Sequence, residues 1–269
     1  MRYPLSLLLA LTLLGGCASQ APTTQPRTSY QEALYRFDFV GAQRLLLAQK
    51  AQGDKRAARY LADQGEWLAG QVVLQQASPQ TQAEQAETLI LQSGPQMSDF
   101  REAAHWAKSA AQAGNPQGQY WLGWLLEKGQ GFRQNPHQAS YWYQQAAQQG
   151  LACAQRQLAL LLENGALMVP DLQEAAHWYG AAARQGDPLA QLNLGQLYLQ
   201  GRGVPQDLGQ AEHWYQQAAE QGEAKAQYQL GMLLHLNQGL PLDSPQPRYW
   251  LQKAAEQGNV QALDTLSTL

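Results

Sequence analysis

The chain has 269 residues, with Lys+Arg 18 against Asp+Glu 21, a net charge of −3, and charged residues at 14%, against about 25% in ordinary domains. So few cations exclude the clustered basic face that nucleic-acid binding needs to displace counterions, and no nucleic-acid partner is expected. About 44 glutamines supply the polar surface instead, and Trp 8 and Tyr 12 add large apolar bodies with polar tips.

The chain opens with an export signal. Arg2 precedes an apolar run from Leu5 to Leu14, and small residues close it. The run is too short to stay in a bilayer as a span. Its end, Leu14-Gly15-Gly16-Cys17, resembles the lipobox of bacterial lipoproteins. That resemblance implies cleavage before Cys17 by signal peptidase II and a diacylglycerol on its thiol. Residues 1–17 are then the signal peptide ending at the lipidated Cys17. Ala18, where an Asp would retain the protein elsewhere, is similar to the outer-membrane sorting class. The implied location is the outer membrane, lipid-anchored and facing the periplasm, with a hold far beyond that of one acyl chain. Residues 18–28, ASQAPTTQPRT, have no apolar period and read as a flexible tether, roughly 20 Å long as a coil. Cys153 is the other cysteine. One thiol builds no internal disulfide framework. It reads as a small apolar residue near a helix start, with an intermolecular disulfide or redox handle as the alternative.

Residues 29–97 predict about four helices in an irregular, tetratricopeptide-like cap. Ser29 and Glu32 stand in capping spacing, Gly53 marks a turn, Thr81 and Glu84 open another helix, and Gly94 stops it.

From 98 to 269 the chain repeats. Trp106, Trp142, Trp178, Trp214 and Trp250 are each 36 apart, as are Gly114, Gly150, Gly186, Gly222 and Gly258. Ala pairs starting at Ala110, Ala146, Ala182, Ala218 and Ala254 keep the same period. Such a period signals a solenoid, with units 99–134, 135–170, 171–206, 207–242 and a partial 243–269. A first helix is expected to open at Asp99, Asn135, Asp171, Asp207 and Asp243. Three residues later Glu102, Gln138, Glu174, Gln210 and Gln246 complete capping boxes. Ser244 is the better cap in the last unit, because Pro245 follows it. The repeat glycine ends each first helix in the left-handed conformation. A second helix is expected to run to Gly129, Gly165, Gly201 or Asn237. Small residues recur in it at Gly118, Ala154, Ala190, Ala226, Ala262 and at Gly123, Ala159, Gly195, Gly231, Ser267, permitting close helix crossings. The repeat tryptophans are expected to fill the space between units. Each unit buries its apolar face only against a neighbour.

These residues resemble the Sel1-like repeat, a relative of the tetratricopeptide repeat. Ala175, Trp178, Tyr179, Ala182, Ala183, Gly186, Ala190, Leu194, Gly195, Gly201, Gly203, Val204, Pro205 and Asp207 carry its pattern almost whole. The resemblance implies an all-α fold, a right-handed α-solenoid of helix-turn-helix repeats. It also implies binding rather than catalysis. Some cysteine-rich members are associated with β-lactam binding or cleavage, but their paired cysteines are missing here.

Candidate chemistry is sparse. His105, Tyr141, His177, His213 and Tyr249 each precede a repeat tryptophan and form one column. Equivalent helices lie about 8–10 Å apart, while zinc needs nitrogens at about 2.0–2.1 Å, so no metal site is expected. The column is either a half-exposed flank of the tryptophans or a recognition ladder of rings with polar tips. GQGF at 129–132 and GRGV at 201–204 lack a preceding strand and read as helix exits, not phosphate cradles. No GxSxG, HExxH or CxxC motif occurs. The expectation is a non-enzymatic scaffold without cofactors or a small-molecule substrate, docking a protein partner in the cell envelope. The alternative is binding of envelope polysaccharide or peptidoglycan, or scaffolding of a polysaccharide or secretion complex.

Overall fold

The computed structural model describes residues 29–92, 97–165 and 169–269. The expected export signal, Cys17, the expected tether and Gly94 lie outside them. The described residues form helices joined by short turns, with no strand among them. Two compact units divide the chain at Gln134 and Asn135.

The first unit holds α1 (Ser29–Tyr35), α2 (Phe39–Ala51), α3 (Lys55–Gln76), α4 (Pro79–Gln92), α5 (Met97–Gln112) and α6 (Pro116–Lys128). The second holds α7 (Pro136–Gln148), α8 (Ala152–Glu163), α9 (Leu172–Arg184), α10 (Pro188–Gln200), α11 (Leu208–Glu220), α12 (Ala224–Gln238), α13 (Pro245–Glu256) and α14 (Val260–Ser267). Within each unit consecutive helices pack against one another, and in the second unit each hairpin packs on the next. This is the α-solenoid class.

The turn inside each hairpin shows why the repeat glycine recurs. Gly186 has φ +90. Its N–H donates to the Ala183 carbonyl, and the Asp187 N–H donates to Ala182. These two bonds form a Schellman motif, which needs a left-handed residue at its centre. Gly114, Gly150, Gly222 and Gly258 do the same with φ between +82 and +92. The next residue then caps the second helix: Asn115, Asp187 and Asn259 side chains accept from Gly118, Ala190 and Ala262 N–H groups. One residue thus closes one helix and opens the next.

The return to the following hairpin differs in detail from the sequence expectation. Asn135, Asp171 and Asp207 do cap α7, α9 and α11 through the N–H three residues on. The reciprocal half of the capping box is replaced. The Asp171 and Asp207 N–H groups donate to Leu162 and Tyr198 carbonyls across the loop. Helix α5 opens at Met97, before Asp99. Helix α4 opens at Pro79, and Ser78 rather than Thr81 supplies the capping oxygen. Helix α12 passes Asn237 and ends at Gly239, which is left-handed. Ser244 is the N-cap of α13, yet its hydroxyl donates to the Pro241 carbonyl and makes no capping bond. Gly203 must be glycine for two reasons: its φ is +72, and a Cβ there would collide with the Leu172 carbonyl.

The core bears out part of the role expected of tryptophan: Trp214 and Trp250 pack against the preceding hairpin's core, but only at its edge. The fully buried ring is the residue after the tryptophan: Tyr143, Tyr179 and Tyr215 are 0% exposed. Trp106 is buried, but Trp142, Trp178, Trp214 and Trp250 are half-buried at the edge. Gly195 is small because the next hairpin's Tyr215 lies on it, 2.8 Å from where a Cβ would stand. Ala154, Ala190, Ala226 and Ala262 are buried as expected, whereas Ser267 is exposed.

Candidate functional site

The first helices of the second unit carry a row of aromatic pairs. Tyr141–Trp142, His177–Trp178, His213–Trp214 and Tyr249–Trp250 each meet edge to face, with centroids between 4.9 and 5.2 Å apart. Adjacent helix residues diverge around the axis, so the two rings meet as an edge and a face, the favoured aromatic geometry. The leading ring stands in solvent: Tyr141 is 54% and Tyr249 50% exposed, and His177 and His213 are exposed. The Trp178 indole N–H donates to Glu174 at 3.3 Å. The result is a row of wet rings backed by half-buried indoles.

His105 belongs to the same column by sequence but not by environment. It pairs with Trp106 at 4.6 Å, yet the Phe37 ring stacks on it at 4.4 Å, and Phe39 meets it edge-on at 5.8 Å. Burial, with Lys108 nearby, pushes its pKa down to about 4. His105 is therefore covered, and the open row comprises Tyr141, His177, His213 and Tyr249.

A second periodic feature escaped the sequence reading. Gln119, Gln155, Gln191 and Gln227 are buried. The last three donate to the carbonyls of Ala147, Ala183 and Ala219 at 3.1 Å. Their own oxygens accept from Gln185, Gln221 and Gln257 of the next hairpin at 2.7, 2.8 and 2.9 Å. The signal is in the sequence, since these glutamines also recur every 36 residues, but a glutamine among many surface amides carries no mark of burial. Gln82 makes the same bond to the Leu74 carbonyl within the cap.

Groups with other reactive potential are committed elsewhere or stand alone. Among the described residues, no three His, Cys, Asp or Glu side chains converge as metal ligands do. Cys153 is half-buried, and burial raises its pKa to about 11, disfavouring the thiolate. Arg156 and Asp187 pair at 3.0 Å. Glu163 accepts from the Tyr179 hydroxyl at 2.9 Å and pairs with Arg202 at 3.3 Å. A shallow depression lined by Val169, Pro170, Asp171, Leu172 and Gln173 has its carboxylate already used as the α9 cap. No described helix is long and apolar enough to cross a membrane.

Repeated helical hairpins with a periodic edge of paired rings define a solenoid repeat protein. The Sel1 repeat model matches residues 90–115, 116–151, 154–187, 188–223 and 224–259, and the chain belongs to the Sel1 repeat family. The first of these matches begins within α4, inside the segment expected to be cap. Proteins of this family generally mediate protein–protein interactions, and the repeat scaffold is generally non-catalytic. Among solved structures, the chain is similar to a Sel1 repeat protein from Oxalobacter formigenes: 27% identity, 89% of this chain and 87% of that one covered, TM-score 0.64. It is also similar to a protective antigen present in uropathogenic Escherichia coli strains displaying an SLR fold, at 29% identity and TM-score 0.64. That likeness covers 87% of this chain but 54% of the antigen, so this chain spans about half the antigen's length. Comparison with curated proteins gave no match.

Proposed function

We propose that the chain is a non-enzymatic, lipid-anchored scaffold of the bacterial cell envelope that docks a protein partner on the ring row of α7, α9, α11 and α13. The observation that carries the docking reading is the repeated pair. Four successive hairpins offer one exposed Tyr or His backed by one Trp in the same edge-to-face geometry. Tyr, His and Trp give contact area with polar tips at low entropic cost, and Tyr and Trp are enriched in interface hot spots. The anchor reading rests on Leu14-Gly15-Gly16-Cys17 alone. It places the folded repeats within a tether's length of the outer membrane, facing the periplasm.

In-cell crosslinking followed by mass spectrometry tests the docking. Photoreactive residues at positions 141 and 249 are expected to capture one envelope protein. Capture should fall when His177 and His213 are replaced by Ala. If the same replacements instead abolish sedimentation with purified peptidoglycan or glycan, and no protein is captured, the ligand is a polysaccharide. Cys17→Ser should end acyl labelling, and labelling that persists would remove the anchor.

A further inference from the structure

The covered member of the column shows what its open members accept. His105–Trp106 has the same edge-to-face pairing as the four open pairs. There, Phe37 stacks on His105 at 4.4 Å and 12°, and Phe39 stacks on Trp106 at 5.7 Å and 26°. The two phenylalanines flank Asp38, so one Phe-x-Phe stretch covers one ring pair. The consequence is visible in burial: Trp106 is 0% exposed, while Trp142, Trp178, Trp214 and Trp250 stay half-buried.

The backbone at Phe37 holds this contact in a conformation that a glycine would adopt more easily. The Phe37 N–H donates to Leu34, and the Asp38 N–H to Ala33. This is the Schellman motif that Gly114, Gly150 and Gly186 serve in the repeats. Phe37 stands in the glycine's place with φ +59, a left-handed phenylalanine, which is unfavourable for any residue with a Cβ. A glycine would remove the strain, and a phenylalanine supplies the ring that lies on His105.

We infer that the open pairs of α7, α9, α11 and α13 receive a segment of a partner protein bearing two aromatic residues at i and i+2, as His105–Trp106 receives Phe37 and Phe39. This rests on the docking function proposed above and names the chemistry of its partner. One partner ring lies on Tyr141, His177, His213 or Tyr249, and the other on the indole behind it. The surroundings are mixed: Gln144, Gln145 and Gln148 lie on α7, while Glu174 accepts from the Trp178 indole and Lys253 lies 6.0 Å from the centre of the Tyr249 ring, so the two rings rather than net charge define the segment.

The probe is a synthetic peptide spelling residues 33–41, ALYRFDFVG, added to the purified full chain. Binding is read by indole fluorescence and by photocrosslinking. Saturable binding is expected, with crosslinks on α7, α9, α11 and α13. A peptide with both phenylalanines replaced by Ala should bind at least tenfold more weakly. The doubly substituted proteins Tyr141→Ala/Tyr249→Ala and His177→Ala/His213→Ala should also bind tenfold more weakly with unchanged melting points, since these side chains are exposed. Equal binding of both peptides overturns the inference, as does binding indifferent to the protein substitutions. A dimer abolished by Phe37→Ala/Phe39→Ala in the chain itself would assign the row to a second copy and also overturn it. A captured envelope partner that contacts the row without an aromatic pair would overturn this inference while leaving the docking function standing.

Discussion

The Gln185 side-chain amide donates to the Oε1 of Gln155 at 2.7 Å, and Gln155 donates in turn to the Ala147 carbonyl at 3.1 Å. Two hairpins are thereby joined through one buried amide. Each polar atom of Gln155 is used, and its loss removes both bonds: the Ala147 carbonyl keeps the Gly150 N–H, and the Gln185 amide keeps only its 3.5 Å bond to the Ala181 carbonyl. Gln155→Ala should destabilise the protein by about 1–3 kcal/mol. Gln155→Met keeps most of the volume and should lose a similar amount. Urea unfolding followed by circular dichroism reads both, and a neutral Gln155→Met would show that the bonds contribute nothing.

His105 sets a pH dependence. Burial, then Lys108, holds its folded pKa at about 4, below the ordinary 6.5. The unfolded chain therefore binds the proton more readily between those values. The stability that neutral His105 contributes is complete above pH 6.5 and declines as pH falls toward 4, by up to about 3 kcal/mol. His105→Gln should flatten that slope in chemical denaturation at pH 7, 5.5 and 4.5. An unchanged slope would place the acid sensitivity elsewhere.

Leu151 occupies the N-cap of α8 without a side-chain bond, with φ −71 and ψ 110. Asp187 holds nearly the same backbone, φ −66 and ψ 111, and accepts from Ala190 N–H. Leu151→Asp should stabilise the protein by about 1 kcal/mol, visible as a raised melting temperature. A lower one would mean that half-buried Leu151 contributes more by packing than a cap does.

Tyr179 and Trp178 are neighbours with different duties. Tyr179 is 0% exposed, and its hydroxyl donates to Glu163, whereas Trp178 is half-buried. Tyr179→Ala should cost about 3–5 kcal/mol. Trp178→Ala should cost clearly less and instead weaken partner capture. The reverse order of melting temperatures would return the interior role to tryptophan.

Ala190 is 0% exposed at the crossing of α9 and α10. Ala190→Leu should cost about 1–3 kcal/mol by overpacking. A melting point equal to wild type would contradict the close crossing.

Much of this architecture was legible in the residues. The 36-residue spacing of Trp178 and Gly186 announced the hairpins, because each helix must end where only a left-handed residue fits. Asp171 and Asp207 announced their helix starts, because their side chains bond within three residues. Such features are local: the atoms that satisfy them lie a turn away in the chain.

What was not legible depended on distant neighbours. Sequence alone could not say which of Trp178 and Tyr179 turns inward, since adjacent helix positions differ by about 100° and both are aromatic. The small residues of the facing helices, Gly195 against Tyr215 among them, decide it. The burial of Gln155 depends on Gln185 arriving from the next hairpin. His105 has the same sequence setting as His177, and only the return of Phe37 separates a covered ring from an open one. The chain by itself thus determined the repeating unit, through bonds made within a few residues. Tertiary packing decided which rings are core and which are free to bind, because exposure belongs to whatever lies opposite.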